Sequence, residues 1–117
     1  MGKTALLLLD LQQGLLDQVK IDVPTYLSRV NRMTQAAQST QTTLIYVRTS
    51  FRKGDPDISP NNAAFSRVTT SGSFTKEDAS CNFPKGLALQ FDDILVNNRR
   101  ASVFTGSDLG VVLKVWV

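Results

Sequence analysis

The residues Ala5-Leu6-Leu7-Leu8-Leu9 are all apolar, and the carboxylate of Asp10 follows them directly. A continuous apolar run of this length is typical of a strand buried on both faces, as strands of parallel sheets are. Leucine also suits a helix, so the run alone leaves that alternative open. The segments that follow it decide the fold.

An amphipathic helix is predicted after this strand. Pro24 suits the first turn of a helix, and Asp22 lies near the positive end of its dipole. From residue 25 to about residue 38, apolar side chains recur at steps of three and four, with polar ones between them. Tyr26 and Met33 belong to the apolar set, so we expect both to pack in the core.

Two more strands and a final helix complete the pattern. Residues 42–47 are rich in β-branched and aromatic side chains, which favour a strand. Strand, helix and strand at this spacing predict a βαβ unit with parallel strands. A third strand is predicted over residues 93–96, and a helix that begins near Thr105 or Ser107, either of which could cap it.

The stretch from residue 48 to residue 91 shows few clear elements. Aromatic side chains recur along it, which predicts that it packs against the domain; they are Phe51, Phe65, Phe74 and Phe83. A short helix is predicted around residues 62–67.

Composition excludes several classes of function. The chain has no histidine, which removes Ser-His-Asp hydrolysis and His-ligated zinc chemistry. Its one cysteine, Cys81, cannot form an internal disulfide, and we expect a cytoplasmic protein. The net charge of +3 is spread along the chain, which does not predict nucleic-acid binding. The apolar run 5–9 is too short to cross a membrane.

Two segments resemble isochorismatase-like cysteine hydrolases. Residues 8–12, LLDLQ, are similar to the strand with Asp-x-Gln that opens that family. Residues 93–109, DILVNNRRASVFTGSDL, resemble its Asp-led strand, basic residues and Gly-Thr/Ser-Asp-Leu helix start. Between them, 47–48, 51–52 and 59–60 look like the loop of one branch of the family.

The resemblance implies a three-layer α/β/α domain with a mainly parallel sheet, Rossmann-like in type, whose site lies at the carboxyl ends of the strands. It also implies a catalytic triad of Asp, Lys and Cys. Asp10 matches the general base, and Gln12 is a candidate substrate contact, although an exposed loop glutamine is the commoner interpretation. Asn98 stands at the lysine position and carries no charge.

The resemblance places the nucleophilic cysteine after a fourth strand, beyond the final helix. We therefore expect residues 1–117 to be a truncated, partial domain that is incomplete at its carboxyl end. Cys81 lies in the middle loop and has no histidine beside it, so a packing role is expected for it. Arg99 is not expected to replace the lysine, because successive strand residues point to opposite faces.

Three hypotheses about function follow. The first is a hydrolase of small amides, esters or vinyl ethers by descent, catalytically impaired in this chain. The second is a non-catalytic small-molecule-binding or regulatory module of the same fold, with a possible homodimer. The third is an unrelated nucleotide-binding domain, but no glycine-rich fingerprint follows the first strand. No cofactor or metal is expected, because the metal-using relatives rely on histidine ligands.

Overall fold

The structure, a computed structural model, describes residues 3–52, 56–59, 61–62, 65, 74–75, 78–90 and 92–116. Helical segments separate and follow the three strands along the chain. The elements are β1 (Ala5–Leu9), α1 (Gln13–Leu16), α2 (Val23–Ser39), β2 (Thr43–Thr49), a 3-10 turn (Ala79–Cys81), β3 (Ile94–Asn98), α3 (Val103–Gly106) and α4 (Leu109–Trp116).

The three strands form one parallel sheet in the order β1-β2-β3. Leu9 lies opposite Val47, and Val47 lies opposite Val96, so the three carboxyl ends meet at one edge of the sheet. Because ligands of open parallel sheets bind at that edge, the register decides which side chains can share a site. The predicted βαβ unit with parallel strands is confirmed.

Side chains of alternating strand residues cover the two faces of the sheet, as the two-residue period of a strand requires. One face packs against α1 and α2 through a cluster of buried residues: Leu8, Leu11, Leu16, Leu27, Val30, Leu44, Tyr46 and Leu87. The other face packs against α4 through Ile45, Val47, Val96 and Leu109. Helices on both faces of a parallel sheet give the predicted three-layer α/β/α architecture.

Helix α2 begins where its capping residue predicts. The Asp22 carboxylate accepts hydrogen bonds from the Thr25 backbone N–H at 3.4 Å and from the Thr25 hydroxyl at 2.8 Å. These bonds satisfy a donor that the first turn of a helix leaves without a partner. Pro24 lies in that same turn, where its missing N–H costs nothing.

The predicted core positions of α2 need a correction. Tyr26 and Met33 are exposed, whereas Leu27, Val30 and Thr34 are buried. These three positions are separated by three and four residues and form one stripe facing the sheet. Tyr26 and Met33 each precede a stripe residue by one position, which rotates them about 100° away from it.

Where the structure describes the middle of the chain, aromatic residues pack against the domain, as predicted. Phe51 is fully buried, and its ring meets that of Phe65 edge-on at a centroid distance of 5.4 Å. The region directly after β1 contains the one-turn helix α1. A Cβ on Gly14 in that turn would lie 2.6 Å from the Ser80 Cβ, so this contact requires glycine. The predicted helix over residues 62–67 falls mainly outside the described residues.

Candidate active-site cleft

Asp10 lies at the tip of β1 and beside the neighbouring strand. Its backbone N–H donates to the Val47 carbonyl oxygen at 3.1 Å, and its φ angle is 63°. Left-handed backbone is uncommon for residues other than glycine, and such strain concentrates at functional sites. The carboxylate is exposed, and within the described residues nothing hydrogen-bonds to it. The carboxylate is therefore accessible to a ligand from the described side of the cleft.

Asp10 and Asn98 line the same cleft at the carboxyl edge of the sheet. The cleft has a volume of about 270 Å³, and most of its wall is apolar. Its lining residues come from all three strand ends and from the segments after them: Leu9, Asp10, Leu15, Val47, Thr49, Phe65, Asn98, Arg100, Ala101 and Val103. The two positions that the resemblance pairs are thus brought together by the sheet.

Asn98 is buried, and its side chain closes the turn that follows β3. Its Nδ2 donates to the Arg100 carbonyl oxygen at 2.6 Å, and its Oδ1 accepts from the Arg100 N–H at 3.2 Å. Gly106 lies close above this turn, and a Cβ on it would be 2.6 Å from the Arg100 nitrogen. The Asn98 amide, at the position where the resemblance implies lysine, therefore stabilises the turn after β3.

Gln12 does not occupy an exposed loop position, because its side chain is fully buried. Its Oε1 accepts from the Thr49 N–H at 2.7 Å, and its Nε2 donates to the Thr49 carbonyl oxygen at 2.7 Å. The side-chain amide thus pairs with the end of β2 as a backbone amide would, and it fixes the chain just after Asp10. It does not line the cleft, so its substrate contact stays a prediction without support from this geometry.

Cys81 is fully buried in the 3-10 turn beneath the end of β2. Its Sγ donates to the Thr49 carbonyl oxygen at 3.4 Å, and its own carbonyl accepts from Arg48 at 3.1 Å. Arg48 also donates to the Asn97 side chain at 2.7 Å. Cys81 is not among the residues that line the cleft. These contacts give it a packing environment, as expected for a buried cysteine.

Beside the cleft lies a second, polar pocket of about 290 Å³, which we call the arginine pocket. It is lined by Arg52, Asp57, Arg99, Arg100, Thr105, Gly106 and Ser107. Arg52 and Asp57 form an ion pair with an N–O distance of 2.6 Å. The Arg52 guanidinium, hydrogen-bonded to Asp57, holds the pKa of that carboxyl below its ordinary value.

The sequence pattern did not identify Arg100, although Arg100 lines both the cleft and the arginine pocket. Its signal in the sequence was limited to its place two residues after Asn98, just beyond the end of β3. Arg99 lines only the arginine pocket and does not reach the cleft. For the Arg52–Asp57 ion pair, the sequence offered no indication beyond two opposite charges five residues apart.

Two further properties of the described residues bear on the kind of site. They contain no group of three or more His, Cys, Asp and Glu side chains that could hold a metal ion. No helix among them is long and apolar enough to cross a membrane.

A parallel sheet with helices on both faces, and with a carboxylate in a cleft at its carboxyl edge, defines an open α/β domain with a candidate ligand site at that edge. The chain belongs to the isochorismatase family, because the family model for the isochorismatase domain matches residues 4–115. The family resemblance of the sequence is thereby confirmed.

Solved structures share the fold. A cysteine hydrolase from Pseudomonas syringae pv. phaseolicola is 23% identical, with a TM-score of 0.82 over 97% of this chain and 54% of that one. An isochorismatase family protein from Desulfovibrio vulgaris is 16% identical, with a TM-score of 0.76 over 97% of this chain and 61% of that one.

N-carbamoylsarcosine amidase from Thermoplasma acidophilum is 15% identical, with a TM-score of 0.70 over 97% of this chain and 62% of that one. The chain thus spans between half and two thirds of the length of these three proteins. No curated protein sequence matches the chain.

Proposed function

We propose that the chain supplies the Asp10 cleft of a cytoplasmic isochorismatase-like hydrolase, acting on a small amide, ester or vinyl ether. We further propose that residues 1–117 are one part of such a domain and are catalytically impaired by themselves. The observation that carries this proposal is the shared cleft of Asp10 and Asn98 at the carboxyl edge of the sheet. The single cysteine of the chain cannot form an internal disulfide, which supports the proposed cytoplasmic location.

Asp10 is proposed as the general base that takes the proton of a cysteine thiol. A general base must lie within hydrogen-bonding reach of the proton that it takes. The Asp10 carboxylate is exposed, and no donor among the described residues hydrogen-bonds to it. The hydrogen bond from Asp10 to Val47 and the buried Gln12 amide beyond it hold the carboxylate at the strand tip.

Impairment is proposed for two reasons. Asn98 has no charge with which to stabilise a thiolate or an oxyanion, and its amide is committed to the Arg100 backbone. Cys81 is buried away from the cleft lining, so it is a poor candidate for the nucleophile. Residues of a catalytic triad act as a unit, and losing one of them removes most of the rate enhancement.

Turnover assays test this proposal. With a panel of small amides and activated esters, the chain and its Asp10→Asn and Cys81→Ser variants should all stay at the buffer rate. Asn98→Lys, joined to a family-type segment that carries the nucleophilic cysteine, should gain turnover. Adding Asp10→Asn to that enzyme should then reduce kcat by about 10⁴-fold. Turnover by the unaltered chain that disappears in Cys81→Ser would contradict the proposal.

The alternative is a non-catalytic module that binds a small molecule in the same cleft. The structural use of the Asn98 amide favours it, because a side chain that closes a turn is not available for chemistry. Binding of a panel compound that shifts the NMR signals of Leu15 and Val103, two cleft residues, is expected in both cases. Binding without turnover in the lysine- and cysteine-restored enzyme would favour the module.

We also propose a homodimer that forms through the outer face of α4. Val111, Val115 and Trp116 are exposed on this helix, and apolar surface of this kind favours association. Size-exclusion chromatography with light scattering should give a dimer at micromolar concentration, and Val115→Glu should give a monomer. The control Lys114→Glu changes a neighbouring residue of the same helix without removing apolar surface. A wild-type chain that stays monomeric would refute the dimer.

A further inference from the structure

The arginine pocket holds more positive charge than its own side chains neutralise. Three guanidinium groups and a single carboxylate line it. That carboxylate, on Asp57, already accepts from the Arg52 backbone N–H at 3.1 Å and from the Arg52 guanidinium at 2.6 Å. Its side chain is only 6% exposed. Asp57 also interacts electrostatically with Arg99, so this one carboxylate faces three guanidinium charges and cannot neutralise all of them.

Two of the guanidinium groups are fixed in place before any ligand arrives. Arg52 is held by Asp57, and the Arg100 Nη1 donates to the carbonyl oxygens of Asp57 at 2.6 Å and of Arg99 at 2.7 Å. These bonds leave other N–H groups of Arg100 unused. The Arg99 guanidinium makes no hydrogen bond within the described part of the chain. The unused donors of the fixed Arg100 guanidinium can bind an anion with little loss of side-chain entropy, and Arg99 adds a further positive charge.

We propose that the arginine pocket binds the carboxylate of a small ligand. Guanidinium groups match the planar, two-oxygen geometry of a carboxylate and can donate to it with two parallel bonds. A singly charged group is favoured over a phosphate, because Asp10 places a negative charge in the adjoining cleft. At about 290 Å³, the pocket accommodates a small acidic group.

The position of the pocket gives this subsite a role in ligand selection. Arg100 lines both the arginine pocket and the Asp10 cleft, so a ligand held by its carboxylate can extend towards Asp10. This last step rests on the proposed function, whereas carboxylate binding by the pocket does not. Ligands of the cleft are then carboxylic acids. Their carboxylate lies in the arginine pocket, and a second functional group extends past Arg100 into the Asp10 cleft.

Binding of benzoate and of its neutral analogue benzamide tests the subsite. With the ¹⁵N-labelled full chain, benzoate should shift the guanidinium Nε–H signals of Arg99 and Arg100, and benzamide should not. Arg99→Gln should weaken benzoate binding about tenfold, since it removes a charge-assisted hydrogen bond. Arg29→Gln, which removes an exposed arginine from α2, should leave the affinity unchanged. Arg99→Lys keeps the charge but loses the planar guanidinium group. Its affinity for benzoate should therefore lie between the affinities of Arg99→Gln and Arg29→Gln.

The binding results decide whether the arginine pocket is a carboxylate subsite. Equal binding of benzamide and benzoate, or an affinity that Arg99→Gln does not change, would overturn the subsite. Tighter binding of inorganic phosphate than of benzoate would overturn its assignment to carboxylates. Circular dichroism of Arg99→Gln confirms that the variant is folded. If Arg99→Gln weakens benzoate binding while turnover never appears in the restored enzyme, the subsite stands and the proposed hydrolase function fails.

Discussion

Gly106→Ala is expected to destabilise the folded chain by about 2 kcal/mol, a typical cost of forcing an extra methyl group into a filled space. The added Cβ would lie 2.6 Å from the Arg100 backbone nitrogen and 2.7 Å from the Arg100 Cβ. It would also meet the Asn98 side-chain oxygen. Because the backbone of residue 100 cannot rotate away, the turn between β3 and α3 must move. Urea-induced unfolding measures this loss.

A second glycine in the same region supplies the control. Gly110 lies in α4, and a Cβ built on it meets nothing within 4 Å. Alanine is favoured over glycine inside a helix by about 1 kcal/mol, so Gly110→Ala should stabilise the chain. Two identical substitutions four residues apart thus have opposite expected signs. Equal effects of the two variants would show that the close approach of Gly106 to Arg100 does not determine stability.

The same contact links Gly106 to the candidate site. The turn that Gly106 presses against is the one that the Asn98 amide closes, and it carries Arg100 between the cleft and the arginine pocket. We therefore expect Gly106→Ala to weaken benzoate binding even in the fraction of the protein that remains folded. The site therefore requires glycine at position 106 of the Gly-Ser-Asp motif, because a larger residue would displace the turn that carries Arg100.

The sheet and its helices were largely predictable, because each depends on a local pattern. The apolar run 5–9 and the β-branched segment 42–47 indicated two strands, and the observed Ala5–Leu9 and Thr43–Thr49 agree closely. The helical period begins at residue 25, two residues after the observed start of α2 at Val23. The buried stripe of α2 could not be fixed so well, because the side that faces the sheet depends on tertiary packing.

The candidate site was predictable only in part. Family resemblance indicated Asp10 and Asn98, and the parallel register brings both to one edge. The role of Gln12 depends on Thr49, 37 residues away, and that of Arg100 on Asp57, 43 residues away. Such contacts between side chains and distant backbone leave no periodic trace in the sequence. They depend on the tertiary structure.

Tyr46 is expected to make the chain lose stability in alkaline solution. Burial, with a smaller contribution from the charge of Asp93, raises the pKa of Tyr46 to about 12 from 10.0. Between these two values the unfolded chain releases the phenolic proton while the folded chain retains it, so unfolding becomes more favourable as pH rises. A difference of about two pKa units corresponds to about 3 kcal/mol. Stability measured at intervals from pH 8 to pH 12 should show this loss.

Tyr46→Phe should remove that alkaline loss and should also stabilise the chain at neutral pH. The Tyr46 hydroxyl is buried and has no hydrogen-bond partner within the described residues, so it is desolvated without compensation. Phenylalanine keeps the ring, including its edge contact with Phe83 at 5.8 Å, and omits the hydroxyl. The expected gain is about 1 kcal/mol.

Tyr26→Phe is the matched control for this substitution. The Tyr26 side chain is exposed on α2, whereas that of Tyr46 is fully buried. Replacement of Tyr26 should leave both the neutral stability and the alkaline loss as they are in the wild type. Other groups that titrate above pH 10 affect all three proteins equally, so the difference between the variants isolates Tyr46. An alkaline loss that persists undiminished in Tyr46→Phe would show that the buried hydroxyl is not its cause.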